Sequence, residues 1–368
     1  MSPARRASAA AARSLPSARR VHTIRAALLA WYAAHRRDLP WRRTSDPYAI
    51  WVSEVMLQQT RVETVGPYYE RFLRRFPAVA GLARSPVERV LGLWSGLGYY
   101  RRARMLHAGA REIVRRHGGK LPADAAALRR LPGIGRYTAG AIASIAFGLA
   151  EPILDGNVRR VLARLFGVDG AALGKRNEEK RLWDLAAQLV RGSSPGDLNQ
   201  ALMELGATVC LPREPNCGAC PVRNACHAVA YDVVDRFPAA TPRKKTVSVR
   251  VGVAVIRRGG KVLLERPDET NPFRGSWDLP AVELTGGHAT EALTRRFDQR
   301  HHVAVAMGAC LGHATHGILH RRLKIEAHGG RLRRGRVSRS RDLSWVALER
   351  LAEQPISGAT RKILKLTV

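Results

Sequence analysis

The sequence predicts two folded parts in order, a mainly α-helical one and then an α+β one. Three observations carry this. From Val21 to about Val229 apolar residues recur at helical spacing, in a background of Ala and Arg that favours helix. After Val229 the texture changes, and Pro238, Pro242 and the run Arg243 to Lys245 read as a linker. Then Val247, Val249, Val251, Val253 and Val255 alternate with period two, as a strand does. A chain of 368 residues exceeds one ordinary domain, and no repeat of fixed period is seen. The expected divisions are a disordered basic tail over 1–20, a helical domain over 21–229, a linker over 230–245 and an α+β domain over 246–368.

The elements follow in order. Residues 1–20 are Ala, Arg, Ser and Pro without an apolar period, so they read as a solvated tail, although a targeting presequence shares that composition. Ile24, Leu28, Leu29, Trp31 and Tyr32 then form the first apolar helical stripe. Tyr68 to Phe76, Val87 to Leu93, Ala103 to Val114 and Leu182 to Val190 continue the helical pattern. Pro77, Pro86, Pro122, Gly133 and Gly135 punctuate the joints. In the second part, Gly259-Gly260 turns the first strand into a second over Lys261 to Glu265. Thr290 to Gln299 reads as a helix, and Leu323 with Ile325 suggests a further strand.

Charge narrows the partners. Lys plus Arg is 62 against 30 acidic residues, a net charge of +32. Such a balance calls for a polyanion, with nucleic acid ahead of an anionic membrane. The most apolar run, Ala141 to Ala150, is too short to span a bilayer, and the N-terminus has no signal-peptide core.

Four of the five cysteines, Cys210, Cys217, Cys220 and Cys226, lie in the pattern C-x6-C-x2-C-x5-C. That clustering favours a metal centre over a disulfide framework. Four thiolates on a short loop could surround an iron–sulfur cluster or a zinc ion. A zinc ribbon sets two C-x2-C pairs far apart, and this loop does not. Arg213 and Arg223 on the same loop suit phosphate contacts. Cys310 stands alone and reads as a buried apolar residue.

Leu131-Pro132-Gly133-Ile134-Gly135-Arg136-Tyr137 joins two helical patterns. The glycines permit a tight turn with close backbone approach, and the next helix offers free N–H groups to an anion. A hairpin of this kind holds DNA phosphate and reads no bases. Glu54 and Asp155 each sit in an apolar stretch, where a charge is costly without a partner or a task. Asp155 before Gly156-Asn157 also suits a cap for a helix starting near Val158. On residues alone, both catalysis and capping stand for this pair.

Together these passages resemble the adenine DNA glycosylases of the MutY family. The resemblance rests on L-P-W-R at 39–42, S-E-V-M-L-Q-Q-T at 53–60, G-L-G-Y-Y at 96–100, L-P-G-I-G-R-Y-T-A at 131–139, L-D-G-N-V-x-R-V at 154–161 and the four cysteines, in that order. It implies a helix-hairpin-helix glycosylase domain with one [4Fe-4S] cluster on Cys210, Cys217, Cys220 and Cys226. It implies that Glu54 protonates N7 of an extruded adenine and that Asp155 stabilises the sugar cation, with Tyr137 and Asn157 orienting the site. Gln59 and Tyr99 match residues that push into the duplex, and Trp41, Arg42 and Gln200 match the adenine pocket. Gly133 and Gly135 belong to the DNA-docking turn, and Glu204 is given a packing role. Endonuclease III carries a lysine where Tyr137 stands, so the resemblance implies a monofunctional enzyme that leaves an abasic site.

Residues 246–368 resemble the Nudix-like C-terminal domain of that family, with Trp277-Asp278-Leu279-Pro280 matching its W-x-x-P strand. Glu291 followed by Arg295 and Arg296 lacks the acidic metal helix of a Nudix hydrolase. In the family this domain recognises 8-oxoguanine through an F-S-H loop. Here Ala314-Thr315-His316 aligns best, and Ile318-Leu319-His320 is a second register, so Thr315 and His316 are the expected contacts and the aromatic is lost. His313 and His320 are further candidates. Arg331, Arg333, Arg334, Arg336, Arg339 and Arg341 are expected to form an exposed phosphate-binding loop. The implied partner is double-stranded DNA with adenine opposite 8-oxoguanine or guanine, bound by a monomer in the bacterial cytoplasm at the nucleoid, without membrane. The competing readings are an endonuclease III-like glycosylase/lyase for oxidised pyrimidines and a catalytically inactive DNA-binding module.

Overall fold

The computed structural model describes residues 15–239, 246–266, 268, 270–273, 277–318, 320–334, 337 and 342–367. The chain forms two compact units. One joins Met1–Ala83 with Ala108–Pro242, and the other joins Arg84–His107 with Arg243–Val368. The helices are α1 (Ala18–His35), α2 (Pro47–Leu57), α3 (Val62–Arg75), α4 (Val87–Leu93), α5 (Arg101–His117), α6 (Ala125–Arg129), α7 (Arg136–Phe147) and α8 (Gly156–Phe166). They continue with α9 (Lys175–Val190), α10 (Pro195–Thr208), α11 (Ala289–His301) and α12 (Gly358–Leu366). No helix among the described residues is long and apolar enough to cross a membrane.

Helix α1 begins inside the segment expected to be tail. Ser17 caps it by accepting from the Arg20 N–H at 3.3 Å, and the Arg20 guanidinium donates to the carbonyls of Leu165 and Ala225. These bonds order Ala18 to Arg20. The expected linker likewise starts later than 230. Val234–Arg236 is a 3₁₀ turn, Phe237 is buried, and Arg164 Nε donates to the Phe237 carbonyl at 2.9 Å. The expected linker run Arg243 to Lys245 lies outside the described residues, as does most of the expected tail.

The first unit buries Leu28 of α1, Leu162 of α8, Leu185 of α9 and Leu202 of α10 in one core. Each contributes roughly 1.5–3 kcal/mol by leaving water. Helix α2 is apolar all round and almost wholly buried, as a central helix should be. Asp46 caps it, and Pro47 takes the first position, where its missing N–H costs nothing. Gly140 on α7 matters for what comes next. A Cβ there would sit 2.3 Å from the Pro152 carbonyl oxygen, so only glycine lets that backbone lie against the helix. Asn199 of α10 fastens the same stretch, donating to Ser144 Oγ at 2.8 Å and the Glu151 carbonyl at 2.9 Å. The segment leading to Asp155 is thereby held between two helices.

The second unit is a mixed sheet between helices. The strands are β1 (Val247–Arg258), β2 (Lys261–Glu265), β3 (Ala281–Leu284), β4 (Ala304–Ile318), β5 (Arg321–Arg334) and β6 (Leu343–Ala347). They run in the order β4-β5-β1-β2-β6, with β3 also pairing β1. Among the described strands β1 and β5 pair in parallel, in the register Val247↔Arg321 to Ile256↔Gly330, and the other strand pairs are antiparallel. Alternation along β1 serves two cores. Val251, Val253 and Val255 pack with Ile363 of α12, while Ala254 and Ile256 pack with Leu293 and Phe297 of α11. Residues 84–107 belong here through specific bonds. Tyr100 donates its hydroxyl to the Ile356 carbonyl at 2.7 Å, and Ser95 Oγ donates to the Gln354 carbonyl at 3.0 Å.

Candidate active site

A cavity of about 540 Å³ opens in the first unit, within the roughly 300–1,000 Å³ usual for ligand sites. Eight residues expected from sequence line it: Trp41, Arg42, Glu54, Gln59, Tyr137, Asp155, Asn157 and Gln200. They come from positions up to 159 residues apart (41 to 200), and each arrives by a local rule. Glu54 projects from the penultimate turn of the buried helix α2. Tyr137 is the second residue of α7, after the Gly133 turn. Asp155 is the N-cap of α8, accepting from the Val158 N–H at 2.7 Å. The helix begins at Gly156 rather than Val158, and capping and cavity lining coexist in one side chain.

The acids share an environment that holds protons. Glu54 is 6% exposed. Burial raises its carboxyl from 4.5 to about 7, a hydrogen bond from Tyr137 pulls it down, and the Asp155 charge pushes it up. Burial also raises Asp155, against N–H bonds from Val158 and Asn157 and the charge of Arg160. The Tyr137 phenol is held protonated by burial and by both carboxylates, so it serves as a donor. Asn157 Nδ2 lies 3.3 Å from Asp155 Oδ2, and its own oxygen accepts from Arg160 at 2.9 Å. Arg160 also donates to the carbonyls of Gly206 at 2.6 Å and Cys210 at 2.7 Å. One guanidinium thus ties the acid-bearing helix to the start of the cysteine loop.

The lining also holds ion pairs that no local sequence pattern signals. Glu204, expected only to pack, is a buried charge in the cavity lining. Burial opposes its ionisation, but bonds from Arg37 and Arg42 win and hold it near 2. Arg37 Nε lies 2.8 Å from Oε1 and Arg42 Nη2 lies 2.7 Å from Oε2. Nothing local in the sequence links Glu204 to arginines more than 160 residues away. Met203 is a second lining residue without a sequence signal; its sulfur lies 3.2 Å from the Tyr137 hydroxyl.

Gly133, Gly135, Tyr99, Thr315 and His316 are not among the cavity's lining residues. Gly133 adopts φ 79° in the α6–α7 turn, a left-handed conformation that favours glycine. Gly135 has φ −87° and needs no such freedom. A side chain there would meet nothing within 4 Å, so its glycine leaves the N-terminus of α7 open to a ligand. Gln59 and Tyr99 both adopt positive φ, 57° and 50°. Such a conformation costs a bulky residue about 1–2 kcal/mol. Tyr99 is half-exposed in the second unit, with the Arg102 guanidinium 5.3 Å from its ring.

Thr315 and His316 face opposite sides of one strand. They lie within strand β4 rather than in a loop, and neighbouring strand residues face opposite sides. Thr315 is exposed, while His316 turns inward against Gly358 at the start of α12. His313, two residues before Thr315, shares its exposed face. Cys310 is exposed, not buried as expected, because the strand bulges between Met307 and Gly312. Arg331, Arg333 and Arg334 belong to strand β5 rather than a loop, while Arg336, Arg339, Arg341 and Leu319 lie outside the described residues. On α11, Arg296 reaches the buried Glu265 at 2.6 Å and Arg300 reaches it at 3.1 Å. Basic residues occupy that helix for internal ion pairing.

The four cysteines of the loop are half-buried free thiols. Burial pushes Cys220 up to about 11, and the charges of Cys210, Cys226 and Cys217 push the same way, so the four sulfurs lie within electrostatic reach of one another. Arg164 Nη1 lies 3.4 Å from Cys210 Sγ, and N–H groups of Val229 and Ala228 point at Cys226. Among the described residues no three His, Cys, Asp or Glu groups converge tightly enough for a single metal ion. Arg213 and Arg223 are exposed beside the loop.

Known proteins share this arrangement. Residues 52–188 match the model of the HhH-GPD superfamily of base excision DNA repair proteins, and 252–366 match a NUDIX domain. The human adenine DNA glycosylase is 51% identical over 217 residues, which are 56% of this chain and 40% of that protein. The mouse adenine DNA glycosylase is 35% identical over 94% of this chain and 78% of its own length. A thermostable thymine-DNA glycosylase of known structure superposes with a TM-score of 0.54 at 32% identity, covering 58% of this chain and 98% of its own. Since the likeness to the mouse protein runs through both units and most of its length, the chain belongs to the adenine DNA glycosylase family of base excision repair enzymes.

Proposed function

We propose that this enzyme excises adenine paired with 8-oxoguanine or guanine in double-stranded DNA. The observation that carries the reading is Glu54, a buried acid with a pKa of about 7 that shares its cavity with Asp155. The target base must leave the stack to be reached. Glu54 in its protonated form donates to adenine N7 and makes the base a neutral leaving group, near the pH where a general acid works best. As the glycosidic bond breaks, positive charge develops on the sugar. The Asp155 carboxylate, aimed by its bonds to Val158 and Asn157, stabilises it, as the second carboxylate of a glycosidase does. Water then adds to the sugar carbon and gives its proton to the Glu54 carboxylate left by the first step, and an abasic site remains.

Tyr137 supports a monofunctional reaction. Among the described residues no lysine lines the cavity, so no amine is placed to form a Schiff base with the sugar. The positive charge of the chain and the open N-terminus of α7 support phosphate docking. Thr315, with His313 on the same strand face, is the proposed contact to the base opposite the adenine. A monomer acting at the bacterial nucleoid completes the reading.

Cys210, Cys217, Cys220 and Cys226 are proposed to hold one [4Fe-4S] cluster. N–H donors to the sulfurs of Cys210 and Cys226 suit a cluster's negative charge. When bound, it supplies a rigid centre around which Arg213 and Arg223 present charge to DNA phosphate.

The test is single-turnover excision on duplexes carrying adenine opposite 8-oxoguanine and opposite guanine. Wild-type enzyme is expected to release adenine from both, faster from the first. Glu54→Gln is expected to abolish release and keep duplex binding. Absence of release by the wild type, or persistent release by Glu54→Gln, would reject the reading.

A further inference from the structure

Tyr99 heads a turn of unusual conformation. Gly96, Gly98 and Tyr99 all have positive φ, at 107°, 72° and 50°. A tyrosine stays in such a region only when its surroundings over-determine it. Part of the constraint is local. Trp94 Nε1 donates to the Gly98 carbonyl at 3.1 Å, and Arg102 reaches the Leu97 and Gly98 carbonyls at 3.4 Å.

The rest comes from the other end of the sequence. Tyr100, adjacent to Tyr99, is buried and donates to the Ile356 carbonyl at 2.7 Å. Ser95 Oγ lies 3.2 Å from the Tyr100 hydroxyl, donates to the Gln354 carbonyl and accepts from Arg361 at 2.5 Å. Arg361 stands on α12, whose N-terminus is pinned by the fully buried Asp278. The Asp278 carboxylate accepts from the Ser357 N–H and the Thr360 hydroxyl, both at 2.9 Å. This gives the Trp277-Asp278 motif a task that the reaction itself does not require. The same helix holds strand β4. His316 packs on Gly358, and Lys362 donates to the Thr315 carbonyl at 2.9 Å.

We propose that α12 couples Thr315 on β4, through Lys362, to the Tyr99 turn, with Ser95, Tyr100 and Arg361 as positioning residues for Tyr99. Engagement of the base opposite the adenine by β4 then favours the Tyr99 conformation that enters the duplex. The coupling makes excision depend on the identity of that base. These contacts are contiguous, so a shift of β4 reaches the turn through one helix. This rests on the proposed role of Thr315 and on the family resemblance by which Tyr99 pushes into the duplex.

The experiment uses the full chain and duplexes carrying 2-aminopurine beside 8-oxoguanine or guanine. It reads the fluorescence change on binding together with the ratio of single-turnover rates for the two duplexes. Tyr100→Phe keeps the ring and removes the bond to Ile356. It is expected to shrink the fluorescence change and lower the rate ratio about fivefold or more, the scale of a coupling between sites. In a Tyr99→Ala background the same substitution is expected to do nothing further. If Tyr100→Phe folds poorly by circular dichroism, Arg361→Met read in the same way decides. A rate ratio unchanged by these variants, or effects that add fully to Tyr99→Ala, would overturn the coupling. A wild type that binds but releases no adenine would instead overturn the excision reading, and fluorescence alone would then judge the coupling.

Discussion

Excision should slow as Glu54 loses its proton. The carboxyl is 6% exposed, and burial lifts it from 4.5 to about 7. With one titrating acid, about nine-tenths is protonated at pH 6 and about one-tenth at pH 8, so the single-turnover rate should fall about tenfold between them. A bound duplex removes more water and acts in the same direction as burial. Tyr137 provides a second handle. Its hydrogen bond favours the Glu54 carboxylate and lowers its pKa. Tyr137→Phe deletes that bond and should move the alkaline limb to higher pH, whatever it does to the maximal rate. The assay is quenched single-turnover excision on the 8-oxoguanine duplex from pH 5 to pH 9. A limb near 4.5, or a profile flat to pH 9, would refute Glu54 as the acid. A limb that moves to lower pH in Tyr137→Phe would refute the role given to the tyrosine.

Three further expectations concern stability. The folded pKa of Glu54 lies above its unfolded value, so stability is lost as pH rises from 4.5 through about 7. Glu54→Gln avoids this and should gain about 3 kcal/mol above pH 7 and nothing below pH 4.5, read as a higher melting temperature at pH 8 only. Glu204 has the opposite sign. Its pKa near 2 means about 3 kcal/mol present above 4.5 and lost as pH falls toward 2, so Glu204→Gln should lose that amount in urea unfolding at pH 7. A variant as stable as the wild type would show that Arg37 and Arg42 gain nothing from the pair. Gly140→Ala forces a methyl toward the Pro152 carbonyl and should cost about 1–3 kcal/mol. Because Pro152 precedes Asp155 by three residues, it should slow excision as well; an unaffected rate would separate the two.

The helices and strands with clean periodicity were legible. Val87 to Leu93 is helical to the residue, and the alternating valines are strand β1. Elements without local periodicity were missed. Strand β6 is five residues long, and β4 holds glycines and histidines that do not alternate by polarity. The cavity residues were legible because the family motifs place one or two of them in each short passage. The ion pairs of Glu204 were not legible because its partners lie far away in sequence. Thr315 and His316 were read as one unit because a three-residue motif does not reveal strand pleating.

Sequence by itself determined the two-part order, the basic surface, the acids Glu54 and Asp155 and the cysteine spacing, since each is a matter of composition or short-range pattern. The tertiary structure alone decided that residues 84–107 pack with the C-terminal unit, that Glu204 is an ion-paired wall and that Tyr99 is anchored through Tyr100 to residue 356. Those features depend on contacts 162 to 266 residues apart, set by packing and hydrogen bonding, and no local pattern encodes them.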